Sequence, residues 1–437
     1  MLMENAIKIP LHKFKSFTNA FNLKFQESFL LNKKLMKIMI DQEAGKDYIQ
    51  KRLYFYHFLN DGITFILPTL MAIFYFEFNL NWYQTGLIFA FNSLATIIFQ
   101  IIIGYYTDKN RSETLMKIGL FLLTITCFLM IFSYDFVSLF LFALFIGIAL
   151  AFQHSISYAT TSRMYQEKKD IMIGRQGAAG DAGKCIAVLT SALIIILLHS
   201  WKLVLMIWAI ISLLTLIIIM LNFKSIKFEN YFIVKNEDVL LNDDLPQKRN
   251  IINLILILII YILYLAIYSL LITNLATYLS VERKGLVSEY SGLILGYTLV
   301  FGVIGAYLSG YVKIKFGMIK SLIVFSIFTI LLLISYICLN TNNLLINLIL
   351  LGLIGFLLFL MYPQLLAAIN SLFQHKKVGF GYGLILSMGW LGNFLGSLIG
   401  GYFANLYSGI IFFYLSIYIF LIIIILTVLI HFGHSID

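Results

Sequence analysis

The sequence predicts an all-α polytopic membrane protein, with twelve transmembrane helices in two six-helix repeats and both termini cytoplasmic. Three observations carry that prediction. Of 437 residues, 61% are hydrophobic, 16% aromatic and 12% charged, too little polar material to cover a water-soluble globule of this length. From Leu53 onward, apolar runs of about 20 residues or more succeed one another, each long enough to cross a ~30 Å hydrocarbon core as a helix. Finally, the polar stretch Gly104-Tyr-Tyr-Thr-Asp108-Lys109-Asn-Arg111 returns in outline 206 residues later as Gly310-Tyr311-Val-Lys313-Ile-Lys315-Phe-Gly317, followed by Lys320. Both copies lie between two apolar runs, so one half of the chain reads as a repeat of the other.

Residues 1–50 are the least hydrophobic portion, with eight lysines and with Phe14, Phe17, Phe21, Phe25 and Phe29 at near-helical spacing. This reads as a cytoplasmic basic amphipathic segment lying on the inner leaflet, with Lys at the anionic headgroups and Phe in the interface. It has no small-residue cleavage site after a compact apolar core, so it is not a secretory signal. Translation from Met36 or Met39 is the alternative. The apolar runs then fall near 53–76, 83–106, 115–133, 137–162, 177–198 and 202–222, and near 251–279, 288–312, 320–339, 344–372, 379–404 and 409–431. The stretch between the two sets carries Glu237-Asp238, Asp243-Asp244 and Pro246, and is the internal segment polar enough to be a linker. The expected division is therefore an amino-terminal half at 51–222, a cytoplasmic linker at 223–250 and a carboxyl-terminal half at 251–437.

Charge orients the bundle. The amino-terminal segment, the 107–117 turn, the 163–175 loop, the linker, the 313–320 turn and Lys376-Lys377 are basic, whereas the alternate loops at 77–82, 134–136 and 340–343 hold no Lys or Arg. Arg283 and Lys284 are the exception, beside Glu282 and Glu289. By the positive-inside rule the basic loops face the cytoplasm. The formal net charge of +10 is thus accounted for by orientation and calls for no nucleic-acid partner. Cys127, Cys185 and Cys338 all fall inside apolar runs without CxxC or a His/Cys cluster, so no disulfide framework, metal site or cofactor is indicated. Gly-rich stretches open span five (Gly174, Gly177, Gly180, Gly183) and span eleven (Gly379, Gly381, Gly383, Gly389, Gly392), placing small residues where the two halves would have to slide.

Function should show as polar groups in hydrocarbon, each costly unless paired or facing water. Span one has His57, Asn60 and Asp61, span four has Gln153 and His154, and span five has Asp181 and Lys184. Counted from the cytoplasmic ends, Asp61, His154 and Asp181 lie roughly 12, 12 and 6 Å deep at 1.5 Å per residue. Asp181 and Lys184 share a helix face and can neutralise each other, which leaves Asp61 and His154 to change charge and makes all four candidates for proton coupling. The carboxyl half is poorer in charge: Asn274, Gln364, Asn370 and Asn393, with Tyr261, Tyr264, Tyr268, Tyr362 and Trp390, suit a solute with apolar area and a few hydrogen-bonding groups. The candidate solute cavity is Asn60, Gln153, Asn274, Tyr268, Gln364, Trp390 and Asn393. Asp108 is expected within reach of the start of span eleven near Gly379, so that Gly104, Asp108, Lys109 and Arg111, with Gly310, Lys315 and Gly317 in the second copy, form a candidate cytoplasmic gate. Pro68 and Pro363 stand inside spans one and ten.

The two polar stretches resemble the loop signature Gly-x-x-x-Asp-(Arg/Lys)-x-Gly-(Arg/Lys) of the major facilitator superfamily. The first copy keeps Gly104, Asp108 and Lys109, and the second keeps Gly310, Lys315 and Gly317 with Ile314 in the acidic position. His57-Phe-Leu-Asn60-Asp61, Gln84-Thr-Gly86, His154 and Gly174-Arg175-Gln-Gly177 are similar to the fosmidomycin-resistance branch over about residues 55–180, departing from it at Ser155-Ile156, Asp181 and Lys184. The resemblance implies a multi-pass cell-membrane antiporter driving efflux of a drug-like or amphipathic compound against protons, with the bilayer, a small solute and protons as partners and a monomer as the unit. Uptake of a nutrient or organic acid, or a receptor on the same fold, are the alternatives. Enzymatic activity is not expected, since HExxH, GxSxG and DxD-type clusters are all missing from the sequence.

Overall fold

In the computed structural model the described residues are 11–109, 111–166, 168–221, 228–231, 248–372 and 377–434. They form α1 (Leu11–Glu77), α2 (Trp82–Thr107), α3 (Ser112–Leu129), α4 (Phe136–Met164), α5 (Lys169–Leu198), α6 (Trp201–Leu221), α7 (Lys248–Tyr268), α8 (Leu275–Glu282), α9 (Leu286–Glu289), α10 (Ser291–Phe316), α11 (Met318–Leu339), α12 (Leu344–Leu372), α13 (Val378–Leu406) and α14 (Ile411–His434). Twelve of these helices are long and apolar enough to cross a membrane. The chain divides into two compact units, residues 1–51 and 52–437. The first is helical from Leu11, with exposed ion pairs Lys46–Glu43 (3.0 Å) and Lys51–Asp47 (2.7 Å). Its Phe14 to Phe29 side chains, and most of the 223–250 linker, lie outside the described residues.

Three boundaries differ from the sequence reading. Span one is the end of a longer helix, because α1 runs from Leu11 to Glu77 with no break at Leu53. Span seven is not one helix over 251–279: a π-turn at Ser269–Thr273 separates α7 from α8. Its cause is side-chain competition for the ladder. Asn274 Nδ2 donates to the carbonyls of Ser269 (2.9 Å) and Leu270 (3.4 Å), while Ser269 Oγ is held 2.6 Å from Ser397 Oγ on α13. The second copy of the polar stretch is not a turn over 313–320. Gly310, Lys313 and Lys315 continue α10 to Phe316, and Gly317 alone makes the break, at φ +75° where a side chain would be strained.

Within 52–437, α2 and α13 pack along their length through glycines. A Cβ on Gly86 would stand 2.7 Å from Gly401 Cα, and one on Gly104 would stand 2.5 Å from the Gly379 carbonyl oxygen. Only small residues allow backbones this close. The fifth-span glycines act differently from the sequence expectation. Gly180 and Gly183 face α1 (His57, Asp61, Phe58), in the same half, whereas the seam between α5 and α10 is made by Gly292 and Gly296 against Ala192 and Leu189. The reason is rotational: the stripe at 180 and 183 points to α1, and the next turns, Val188 to Ala192, point to α10. Buried polar ties hold neighbours in register, as in Asn92 Nδ2 to Ala143 O (2.7 Å) between α2 and α4 and Thr124 to Ser212 (2.6 Å) between α3 and α6.

Candidate functional site

Asp61 is buried in α1, and three basic side chains from three helices converge on it. His57 Nε2, one turn earlier, lies 3.4 Å from Oδ2, His154 Nε2 of α4 lies 3.7 Å from Oδ1, and Lys184 Nζ of α5 lies 3.2 Å from Oδ2. Lys184 also holds Asp181 Oδ1 at 2.9 Å, so it bridges two carboxylates. Gly180 makes this possible: a Cβ there would sit 2.6 Å from His57 Nε2 and 2.7 Å from Asp61 Oδ2. The expectation that an Asp181–Lys184 pair leaves Asp61 and His154 unengaged is therefore corrected. Lysine has three donors on one point charge and reaches both acids at once. The rings of His57 and His154 meet edge to face, with centroids 5.0 Å apart; His57, a polar group of span one in the sequence reading, was not among the four proton-coupling candidates although it shares a face with Asp61 four residues on. The ligand atoms of His57, Asp61 and His154 all lie within 4.8 Å of one another, an arrangement able to hold a metal ion.

Asp61, His154, Asp181 and Lys184 open onto a cavity of about 90 Å³ whose other wall is aromatic, with Phe65 from α1, Tyr261 and Tyr268 from α7, Phe359 and Tyr362 from α12, and Trp390 and Asn393 from α13. Among the sequence candidates Tyr268, Trp390 and Asn393 line it, and the buried Tyr268 hydroxyl has no protein partner. The other four do not. Asn60 donates to Asp61 Oδ1 (3.4 Å), Gln153 to Ser157 Oγ (2.9 Å), Gln364 to Leu360 O (3.1 Å), and Asn274 serves the π-turn. Short amides reach their own helix before they reach a neighbour, and polarity alone does not reveal which way they turn. Phe65 and Leu150 were missed because an apolar residue in an apolar span carries no signal, and Thr64 because its hydroxyl serves its own helix at Asn60 O (2.7 Å); their place one helical turn from Asp61 or His154 was the available clue.

At one end of the bundle Asp108, the C-cap of α2, accepts from the first free N–H groups of α13, Gly379 to Oδ1 (2.7 Å) and Phe380 to Oδ2 (2.8 Å). The N-cap of α13, Lys377, supplies no side-chain bond of its own, so the carboxylate caps a helix from the other half. Arg163, at the end of α4, donates to Asp108 Oδ1 and to Thr107 O (3.2 Å). Its sequence neighbours are placed elsewhere: Lys109 Nζ lies over the Tyr105 ring at 4.5 Å, and Arg111 is the N-cap of α3. The second copy is not brought to a matching contact. A Cβ on Gly310 or Gly317 meets nothing within 4 Å, and Lys315 is exposed, because Ile314 has no carboxylate with which to cap a helix. Toward the opposite end a larger cavity, about 580 Å³, lies among Thr69, Glu77, Ile196, Ser288 and Glu289.

Twelve apolar helices with a polar cluster opening onto a cavity between them define a polytopic membrane protein of transporter type. The family model described as Major Facilitator Superfamily matches residues 53–384, and the chain belongs to that superfamily of membrane transporters. It is 24% identical over 140 residues to the uncharacterized MFS-type transporter YfnC of Bacillus subtilis (strain 168), a match spanning 32% of this chain and about a third (34%) of that relative. Among solved structures it is similar to the nucleoside transporter NupG, with a TM-score of 0.66, 15% identity, and 89% of this chain and 99% of that one covered. It is equally similar to a bacterial homolog of the human lysosomal transporter Spinster in an inward-facing, unoccupied conformation, with a TM-score of 0.66, 14% identity, and 90% and 96% covered.

Proposed function

We propose that the chain is a secondary active transporter that exports a small drug-like or amphipathic solute in exchange for protons, as its resemblance to the fosmidomycin-resistance branch implies. The observation that carries this reading is the position of Asp61, on the wall of the same small cavity whose opposite wall is aromatic. A proton and a solute that contact the same carboxylate compete for it, and competition for one site reached in turn from two sides is what couples an exchange. Lys184, shared between Asp61 (3.2 Å) and Asp181 (2.9 Å), supports it: when Asp61 takes a proton, Lys184 keeps Asp181 and no charge is left unpaired.

The Asp108 end is taken as cytoplasmic from the Lys and Arg distribution. Contact of Asp108 with Gly379 and Phe380 then closes the cytoplasmic side, while the cavity beside Glu77 and Glu289 lies toward the outside. The unit is a monomer in the cell membrane. The reading is tested in proteoliposomes by imposing a pH gradient and screening amphipathic drugs, nucleosides, amino acids and carboxylates. Solute movement opposite to the proton gradient, abolished by a protonophore, is the expected outcome; movement along with protons would replace export by uptake, and tight binding without flux would make the chain a receptor.

A further inference from the structure

We propose that His57, Asp61 and His154 form a binding site for one divalent first-row transition metal ion on the wall of the central cavity. Two imidazoles and a carboxylate are a borderline N/O donor set, suited to Zn²⁺, Co²⁺ or Ni²⁺ and not to Mg²⁺ or Ca²⁺, which prefer all-oxygen ligands. Both Nε2 atoms already face the carboxylate, at 3.4 and 3.7 Å, one to each oxygen. Metal–ligand distances of about 2.0–2.2 Å in a tetrahedron place donors roughly 3.3–3.6 Å apart, so the three need only small side-chain rotations.

Three further features fit an ion. His154 Nδ1 lies 3.4 Å from Leu150 O, the second hydrogen bond that fixes a ligating histidine with its Nε2 lone pair toward the metal. Asp61 and His154 border the cavity of about 90 Å³, and a water needs roughly 10–15 Å³ of such space, so there is room for waters to complete the coordination. Two carboxylates face one lysine: with the histidines neutral, as ligation requires, Asp61 and Asp181 leave one negative charge after Lys184 is counted. Lys184 competes with the ion for Asp61 and withdraws to Asp181 when the ion binds. Gly180 leaves open the space in which the ion and its ligands meet, since a Cβ would stand 2.6 Å from His57 Nε2 and 2.7 Å from Asp61 Oδ2.

The inference needs neither the direction of transport nor proton coupling, and its test involves no flux. Purified full-length protein in detergent is titrated with Co²⁺, read by its visible ligand-field absorption, with Zn²⁺ as displacing ion. One equivalent should bind with a low-symmetry spectrum, and affinity should fall by more than about 10–100-fold in His57→Ala and in His154→Ala, the range for loss of a mere supporting partner of a metal ligand. Lys184→Gln should strengthen binding, by about tenfold, because it removes the competitor. A ligand variant that elutes as aggregate is replaced by His57→Gln or His154→Gln, which keep the volume. Failure of the folded wild type to take up one saturable equivalent, or a spectrum that survives both histidine substitutions, overturns the proposal; failure of solute flux leaves it standing.

Discussion

Asp61 is the residue on which most of the chemistry turns, since its two oxygens are shared among His57, His154 and Lys184 inside the hydrocarbon-depth part of the bundle. Asn in its place keeps the shape and removes the proposed proton site. We expect Asp61→Asn to insert, and any remaining flux to lose its dependence on a pH gradient, measured in proteoliposomes; an unchanged pH dependence would move the proposed proton site to Asp181. Gly180 sets the approach of α5 to this cluster. Gly180→Ala forces a methyl against His57 and Asp61 and should destabilise the protein by about 1–3 kcal/mol, the usual cost of overpacking. Gly174→Ala, where a Cβ meets nothing within 4 Å, is the matched control and should raise a thermal melt, by the about 0.5–1 kcal/mol that separates Ala from Gly inside a helix. Equal melting shifts for the two would show that Gly180 is not a close-packing position.

At the scale of helices, α2 and α13 carry the contact assigned to the proposed gate. Their glycines permit close packing, and Asp108 adds direction by capping α13 with two N–H bonds and holding Arg163. A carboxylate at a helix amino terminus contributes about 0.3–1 kcal/mol, up to ~2 when partly buried, and a change of 1.4 kcal/mol alters the ratio of two states tenfold. Asp108→Asn loses that charge and leaves Arg163 without its acid. We therefore expect a cysteine at Thr160, buried in the present state, to be modified severalfold faster from the Asp108 side in the Asp108→Asn background. Turnover should fall with little change in solute affinity. If the modification rate is the same in both backgrounds, Asp108 belongs to its turn and not to a gate.

For the whole molecule, the orientation rests on charge and is testable without any substrate. A cysteine at Asn342, exposed between α11 and α12, should react with an impermeant thiol reagent from outside only, and one at Lys315, exposed at the end of α10, from the cytoplasmic side only. Reaction at Asn342 from the cytoplasmic side would invert the topology. How much of this was legible beforehand follows from the kind of signal each feature leaves. Twelve spans and the membrane class were readable because hydrocarbon imposes long apolar runs on any sequence that crosses it. Asp61, His154, Asp181 and Lys184 stood out because charge in such runs is rare. The Asp181–Lys184 pair was readable from its three-residue spacing, whereas the reach of Lys184 to Asp61 was not. Lys184 is three residues from Asp181 and distant in sequence from Asp61, yet it touches both, because the glycine stripe of α5 is turned toward α1. Likewise Asn274 and Gln364 look like cavity residues in sequence and bond to their own helices in the fold, while Arg163, read only as loop charge, closes on Asp108. Local composition by itself determined which segments enter the membrane and which side chains are costly there. Only the tertiary structure decided which of those side chains meet, because helix rotation and interhelical distance depend on all the packed neighbours at once.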